Sequence, residues 1–239
     1  MNGSQSLSYL FSESLGKKCV YCLRNNQLCE DQILMRGNAL YLCAPRGQMI
    51  EGYLVIAPST CVGCLSHLPG KWLPELTRLK SVVADFYREV YGITQGTFYE
   101  QGRAGGGAVR DAVGGFPHHA HLCCLPFSID LHTLLEGKYD QRNLSGPDEL
   151  SAVAQNNPYI YVESIHGEGS YKRRLYVAQS EDGRAELERK RLKPIVAAVM
   201  GLPERGDWRA YPGDRELGRV IQSFRDFQRR KEAVSWRIT

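Results

Sequence analysis

The sequence predicts an α+β protein: an antiparallel sheet with a packed amphipathic helix, extended toward the C-terminus by a hairpin and helices. Three observations predict it. Short apolar runs of strand length are separated by turn residues, one long stretch instead repeats its apolar residues at three- and four-residue steps, and a further hairpin-and-helix pattern follows a polar loop. At 239 residues and 43% hydrophobic content, the chain can bury one good core with a small appended subdomain.

Residues 1–18 are polar and Ser-rich, without the apolar stretch of a signal peptide. No run approaches the length of a membrane span, so the expectation is a cytoplasmic protein with no membrane partner. Strands are predicted at 38–44 and 53–57. Leu76, Leu79, Val82, Val83, Phe86, Tyr87 and Val90 then mark one face of the principal helix, between the Pro69-Gly70 turn and Gly92. Strands at 97–101 and 119–126 complete the antiparallel sheet, and a short helix follows near 131–135. The polar segment 137–157, with Gly and Pro, reads as a loop and a boundary. Beyond it, 159–163 and 171–177 form a hairpin around a glycine-bearing loop, and helices are expected at about 185–200 and 214–231. This divides the chain into 1–18, 19–136 and 137–239.

Charge is uneven. Residues 1–170 carry 13 Lys and Arg against 16 Asp and Glu, whereas 171–239 carry 17 against 10. A basic C-terminal third suits anionic ligands, although interleaved acids such as Glu186, Glu188 and Asp226 also fit a solvated helix face. Eight cysteines in a chain of this kind point to metal binding and reduced thiols rather than a disulfide framework. Cys29, Cys43 and Cys124 read as ordinary core or half-buried residues.

The most informative stretch is His119-Ala120-His121-Leu122-Cys123-Cys124-Leu125-Pro126. Alternate residues of an extended strand project from one face, which sets His119, His121 and Cys123 side by side. The bland alternative is a packed strand whose imidazoles only form hydrogen bonds. Upstream lie Gly102-Arg103-Ala104-Gly105-Gly106-Gly107 and Gly114-Gly115, where backbone N–H groups can turn toward phosphate oxygens. Cys19 and Cys22 form a Cys-x-x-Cys pair that can serve as a metal knuckle, a redox dithiol or two buried thiols.

These motifs together resemble the histidine-triad (HIT) superfamily, whose signature is His-x-His-x-His followed by apolar residues. Here Cys123 stands in place of the third His. The resemblance includes Cys19-Val20-Tyr21-Cys22 at the start of the domain and the strand Gly52-Tyr53-Leu54-Val55-Ile56-Ala57-Pro58. It covers 19–126 with fairly specific motifs. Beyond that, only Gly201-Leu202-Pro203 to Trp208-Arg209 looks like the Trp-Arg element of longer HIT-like proteins.

The resemblance implies a HIT-like catalytic domain at 19–136 with the C-terminal extension packed on it. It also implies His121 as nucleophile toward the α-phosphorus of a nucleotide or nucleotide conjugate. Displacement would form a nucleotidyl-histidine, which water, phosphate or another acceptor resolves. His119 and Cys123 join it as catalytic residues, and Gly105, Gly106, Gly107, Arg103 and Arg110 are the candidate substrate-binding residues. A thiol at 123 donates weakly, which favours a transferase, phosphorylase or specialised substrate over a general hydrolase.

In its zinc-carrying branches, which include relatives of galactose-1-phosphate uridylyltransferase, the matching set is Cys19, Cys22, Cys61 and His119, with Cys64 close to the third position. Three thiolates and one imidazole make a closed, structural Zn²⁺ site. The competing reading is a zinc-stabilised, catalytically weak nucleotide- or RNA-binding module. Nucleic acid is the less favoured partner because Tyr171, Tyr176, Trp208 and Tyr211 form no aromatic platform in sequence. Self-association as a homodimer is left open.

Overall fold

The computed structural model describes residues 21–23, 28–103, 119–155, 157–166, 170–189 and 191–235. Within them, eight strands make one antiparallel sheet: β1 (Ile33–Arg36), β2 (Leu40–Cys43), β3 (Leu54–Pro58), β4 (Gln95–Arg103), β5 (Leu122–Leu125), β6 (Asp140–Leu144), β7 (Pro158–His166) and β8 (Ser170–Val177). Their spatial order is β1-β2-β3-β5-β4-β7-β8-β6. The helices are α1 (Leu73–Tyr91), α2 (His132–Leu135), α3 (Leu150–Ala154), α4 (Glu181–Arg189), α5 (Leu192–Val199) and α6 (Asp214–Ser235). The architecture is α+β.

Pro74 lies in the first turn of α1, where its missing N–H breaks no helical bond. The helix stops at Gly92, left-handed at φ 67°, whose N–H returns to the Arg88 carbonyl. At its start the Glu75 carboxylate accepts the N–H groups of Ala39 (3.1 Å) and Leu40 (3.3 Å), which sets the helix against β2.

Strand alternation divides the core in two. Leu40, Leu42, Leu54, Ile56, Phe98, Leu122 and Cys124 point to one face, packed by Leu76, Leu79, Val83 and Phe86 of α1 and by Phe224 and Phe227 of α6. The other face carries Tyr41, Cys43, Tyr53, Val55, Tyr99 and Cys123, covered by Leu131 and Leu135 and by Leu187, Leu192, Val196 and Ala197 of α4 and α5. The centre of the sheet is therefore dry on both sides. The hairpin β7–β8 continues this sheet, because β7 pairs with β4 over nine residues from Gln95↔His166 to Arg103↔Pro158.

Three elements differ from their predicted form. Segment 137–157 contains β6 and α3 rather than loop alone; β6 is an edge strand with exposed Gln141, Arg142 and Asn143, so it needs no apolar alternation. The predicted helix at 185–200 is two helices. Pro194 is tolerated only in a first turn, so α5 starts afresh at Leu192 after the extended Arg191. The strand predicted at 119–126 shortens to β5. β3 ends at Pro58, which has no N–H to continue the ladder, and the Ala120 N–H goes instead to the Val62 carbonyl at 2.6 Å.

On the α1 face, Lys80 lies on the buried side of its helix, with Nζ 2.7 Å from both Glu163 oxygens. The Tyr161 hydroxyl donates to the same carboxylate at 2.8 Å, and Arg173 Nε approaches it at 3.3 Å. Lys80 and Arg173 also flank the Tyr171 ring, 5.2 and 5.1 Å from its centroid. This closed network joins α1 to β7 and β8.

Candidate active site

β5 is a central strand, with Cys123 opposite Val55 on β3 and Tyr99 on β4. His119 and His121 lie just before it. His119 is buried, and its Nε2 donates to the Pro58 carbonyl at 2.9 Å, which ties the approach to β5 to the end of β3. His121 is half-buried, and its Nδ1 donates to the His119 carbonyl at 2.8 Å. The ring nitrogen left over from this bond is Nε2.

The Cys123 side chain hydrogen-bonds to His121. The Tyr53 hydroxyl and Cys123 Sγ are hydrogen-bonded at 3.1 Å, and the buried Tyr99 hydroxyl approaches the same sulfur without meeting hydrogen-bond geometry with any described residue. Burial alone would lower the His121 pKa, but Cys123 beside it, the His119 carbonyl and Glu100 outweigh burial and raise it to about 9. Burial pushes the Cys123 thiol up, and the His121 charge together with the hydrogen bonds to it pulls it below its ordinary value. Both shifts favour placing the proton of this pair on the imidazole.

Two further groups, absent from the sequence-derived site, hold His121. Tyr21 stacks on its ring, with centroids 5.0 Å apart and planes inclined by 17°, and its own carbonyl accepts the Tyr41 hydroxyl at 2.6 Å. Glu100 on β4, fully buried, accepts the His121 backbone N–H, the Leu65 N–H at 2.9 Å and the Tyr159 hydroxyl at 2.6 Å. Burial lifts its carboxyl to about 7 despite these donors. Glu100 thus joins β7, the turn at Leu65–His67 and the start of β5. Lys193 on α5 reaches the same face from the C-terminal region, with Nζ 5.0 Å from the Tyr53 ring centroid.

Of the other predicted site residues, Cys19, Gly105, Gly106, Gly107 and Arg110 lie outside the described residues, as does the Arg103 side chain, whose backbone closes β4. Cys22 is buried and Cys61 half-buried. Cys64 is buried in the α1-side core against Ser66 Oγ at 3.1 Å, and burial raises its thiol to about 11. Among the described residues, no three His, Cys, Asp or Glu side chains gather into a metal site, and no helix is long and apolar enough to cross a membrane.

Fold and site thus define an α+β protein with a His-x-His-x-Cys segment leading into the middle of its sheet. Comparison with known proteins adds two similarities. Residues 12–104 match a family model described as "Protein similar to CwfJ C-terminal". A crystal structure of a Hit-like protein involved in cell-cycle regulation from Bartonella henselae, with unknown ligand, is 12% identical, with a TM-score of 0.34 over 46% of this chain and 74% of that one. No curated protein matches the chain.

Proposed function

We propose that this protein binds a nucleotide or nucleotide conjugate with its α-phosphate against His121 and transfers the nucleotidyl group through a nucleotidyl-histidine. The observation that carries the reading is the 2.8 Å bond from His121 Nδ1 to the His119 carbonyl, which orients the ring and commits Nε2 to the chemistry. Attack on phosphorus needs the Nε2 lone pair, so Cys123 Sγ takes the shared proton as the phosphate enters. The resulting thiol, hydrogen-bonded to Tyr53, is then placed to return that proton to the leaving group. Tyr21, stacked on the ring face, helps to fix the plane of the imidazole.

A structural Zn²⁺ held by Cys19, Cys22, Cys61 and His119 belongs to this reading. The His119 Nε2–H bond to the Pro58 carbonyl is the kind of second contact that orients a metal-binding imidazole, and the buried bond of Cys64 to Ser66 makes Cys61 the better third thiolate. The metal would tie the N-terminal segment to the residues leading into β5 and take no part in transfer.

The second reading, a catalytically weak nucleotide- or RNA-binding module, is favoured by the proton that the His121–Cys123 pair holds on the imidazole. Incubation with labelled nucleoside polyphosphates and phosphoramidates, followed by intact-mass analysis, separates the two. An adduct that His121→Ala abolishes supports transfer. Saturable binding without any adduct supports the module.

A further inference from the structure

We infer that Lys193, delivered by the C-terminal region, is an anion-binding residue of the His121 site that receives a phosphate group of the ligand. The inference rests on the nucleotide reading above and names a residue on which neither the sequence motifs nor the similarities bear.

Lys193 lies in the first turn of α5, between Leu192, which belongs to the same side of the core as Tyr53 and Tyr99, and Pro194. Its ammonium is carried across the Tyr53 ring, 5.0 Å from the centroid, and the hydroxyl of that ring is bonded to Cys123 Sγ at 3.1 Å. One tyrosine ring therefore separates the ammonium from the sulfur that hydrogen-bonds to His121. Among the described residues the ammonium makes one hydrogen bond, to the Gly47 carbonyl at 2.7 Å, and no carboxylate lies within ion-pair distance. Among the described residues, two of its three donors meet no hydrogen-bond acceptor and can serve a ligand.

The neighbouring cations are committed elsewhere. Arg205 lies over the Tyr211 ring and donates to the Met49 carbonyl, and Arg209 folds over Trp208 beside Asp207.

The position of Lys193 is built. Gly47 is left-handed at φ 75°, and a Cβ there would lie 2.3 Å from Trp208 Cβ and 2.8 Å from Lys193 Nζ, so a residue without a side chain lets the ammonium and the 205–213 segment close over this loop. The Gly47 N–H is held by the Pro212 carbonyl at 2.6 Å. Burial lowers the Lys193 pKa to about 8, only partly opposed by Cys123 and by Asp207 at longer range. A half-buried ammonium that has no carboxylate within ion-pair distance among the described residues, on the face that carries Cys123, suits a phosphate, whose charge would oppose the effect of burial.

Inorganic pyrophosphate is the probe, because it carries the charge without a base. In the full-length wild type, lysine acetylation by an N-hydroxysuccinimide ester at pH 8, mapped by peptide mass, should label Lys193 readily and slow at least about fivefold with saturating pyrophosphate. Calorimetric affinity for pyrophosphate should fall on the order of tenfold in Lys193→Met and stay within a few-fold of wild type in Lys193→Arg. An unprotected Lys193 overturns the inference, as does undiminished pyrophosphate affinity in a folded Lys193→Met protein. Protection by pyrophosphate, together with no histidine-linked adduct when the same protein is incubated with labelled nucleoside polyphosphates and phosphoramidates, keeps the anion site and removes the transfer reading. An adduct that forms equally well in Lys193→Met and in wild type removes the lysine and keeps transfer.

Discussion

Glu100 gives the sharpest test of how the site is held. Its carboxyl is raised from 4.5 to about 7 because it is buried, even though it accepts the Tyr159 hydroxyl and the Leu65 and His121 N–H groups. The folded protein therefore binds this proton more tightly than the unfolded chain, and the associated stability is complete below pH 4.5 and lost as pH rises through 7. At 1.36 kcal/mol per pH unit, the difference between 4.5 and about 7 amounts to about 3 kcal/mol. Glu100→Gln removes the titration. Its amide turns one N–H toward a donor that the carboxylate accepted, so the variant carries a penalty of about 1–3 kcal/mol that does not change with pH. Urea unfolding at intervals from pH 4 to 8 should show the wild type losing about 3 kcal/mol relative to Glu100→Gln, with the loss centred between pH 5 and 7. Parallel stability curves over the whole range would refute the reasoning, since they would mean that the carboxylate meets no net cost on ionising in the fold.

Other predictions follow from the same geometry. Lys80→Met leaves the Glu163 carboxylate buried with only Arg173 and Tyr161 nearby, and should lower unfolding free energy by about 3–5 kcal/mol; Lys80→Met combined with Glu163→Gln should recover part of that loss in the same urea assay. Gly47→Ala places a Cβ against Trp208 in a left-handed residue and should cost about 2–4 kcal/mol, read as a fall in thermal midpoint; an unchanged midpoint would mean that the 205–213 segment does not rest on this loop. Metal analysis of purified protein should find about one Zn per chain, reduced by Cys22→Ser or Cys61→Ser and retained in Cys64→Ser; retention in all three variants would count against the proposed ligand set.

Much of the fold was legible because it is written in local patterns. The three- and four-residue repeat of Leu76, Leu79, Val83 and Phe86 specified α1, and Gly92 specified its end. The runs at β2 and β3 are short and apolar enough to read as strands from their own residues. β6 and the break at α5 were harder. An edge strand of Asp140-Gln141-Arg142-Asn143-Leu144 carries no apolar alternation, and a proline inside a helical pattern does not say whether it kinks the helix or starts a new one.

The candidate site was legible only along one continuous stretch of sequence. His119, His121 and Cys123 stand out as a motif, whereas Glu100 meets Tyr159 across 59 positions and Leu65 across 35. Lys193 reads as an ordinary helix cation until the fold carries it over Tyr53. Tyr21 was read as part of a cysteine knuckle, and its stacking on His121 depends on how the N-terminal segment returns to the sheet. No spacing rule connects these residues, because their proximity is set by strand order.

That strand order also bears on how the chain divides its work. β4 is paired on one side with β5, which follows the two histidines, and on the other with β7, which belongs to the C-terminal part. Tyr159 of β7 donates to Glu100, Glu100 accepts the His121 backbone N–H, and α5 brings Lys193 to the face where Cys123 meets Tyr53. A boundary near 137 therefore separates the chain in sequence but cuts through the supports of a single site. If the residues before it carry the nucleophile, those after it fix where the nucleophile sits and supply charge for a phosphate, so substrate preference and the position of His121 are set by the same packing.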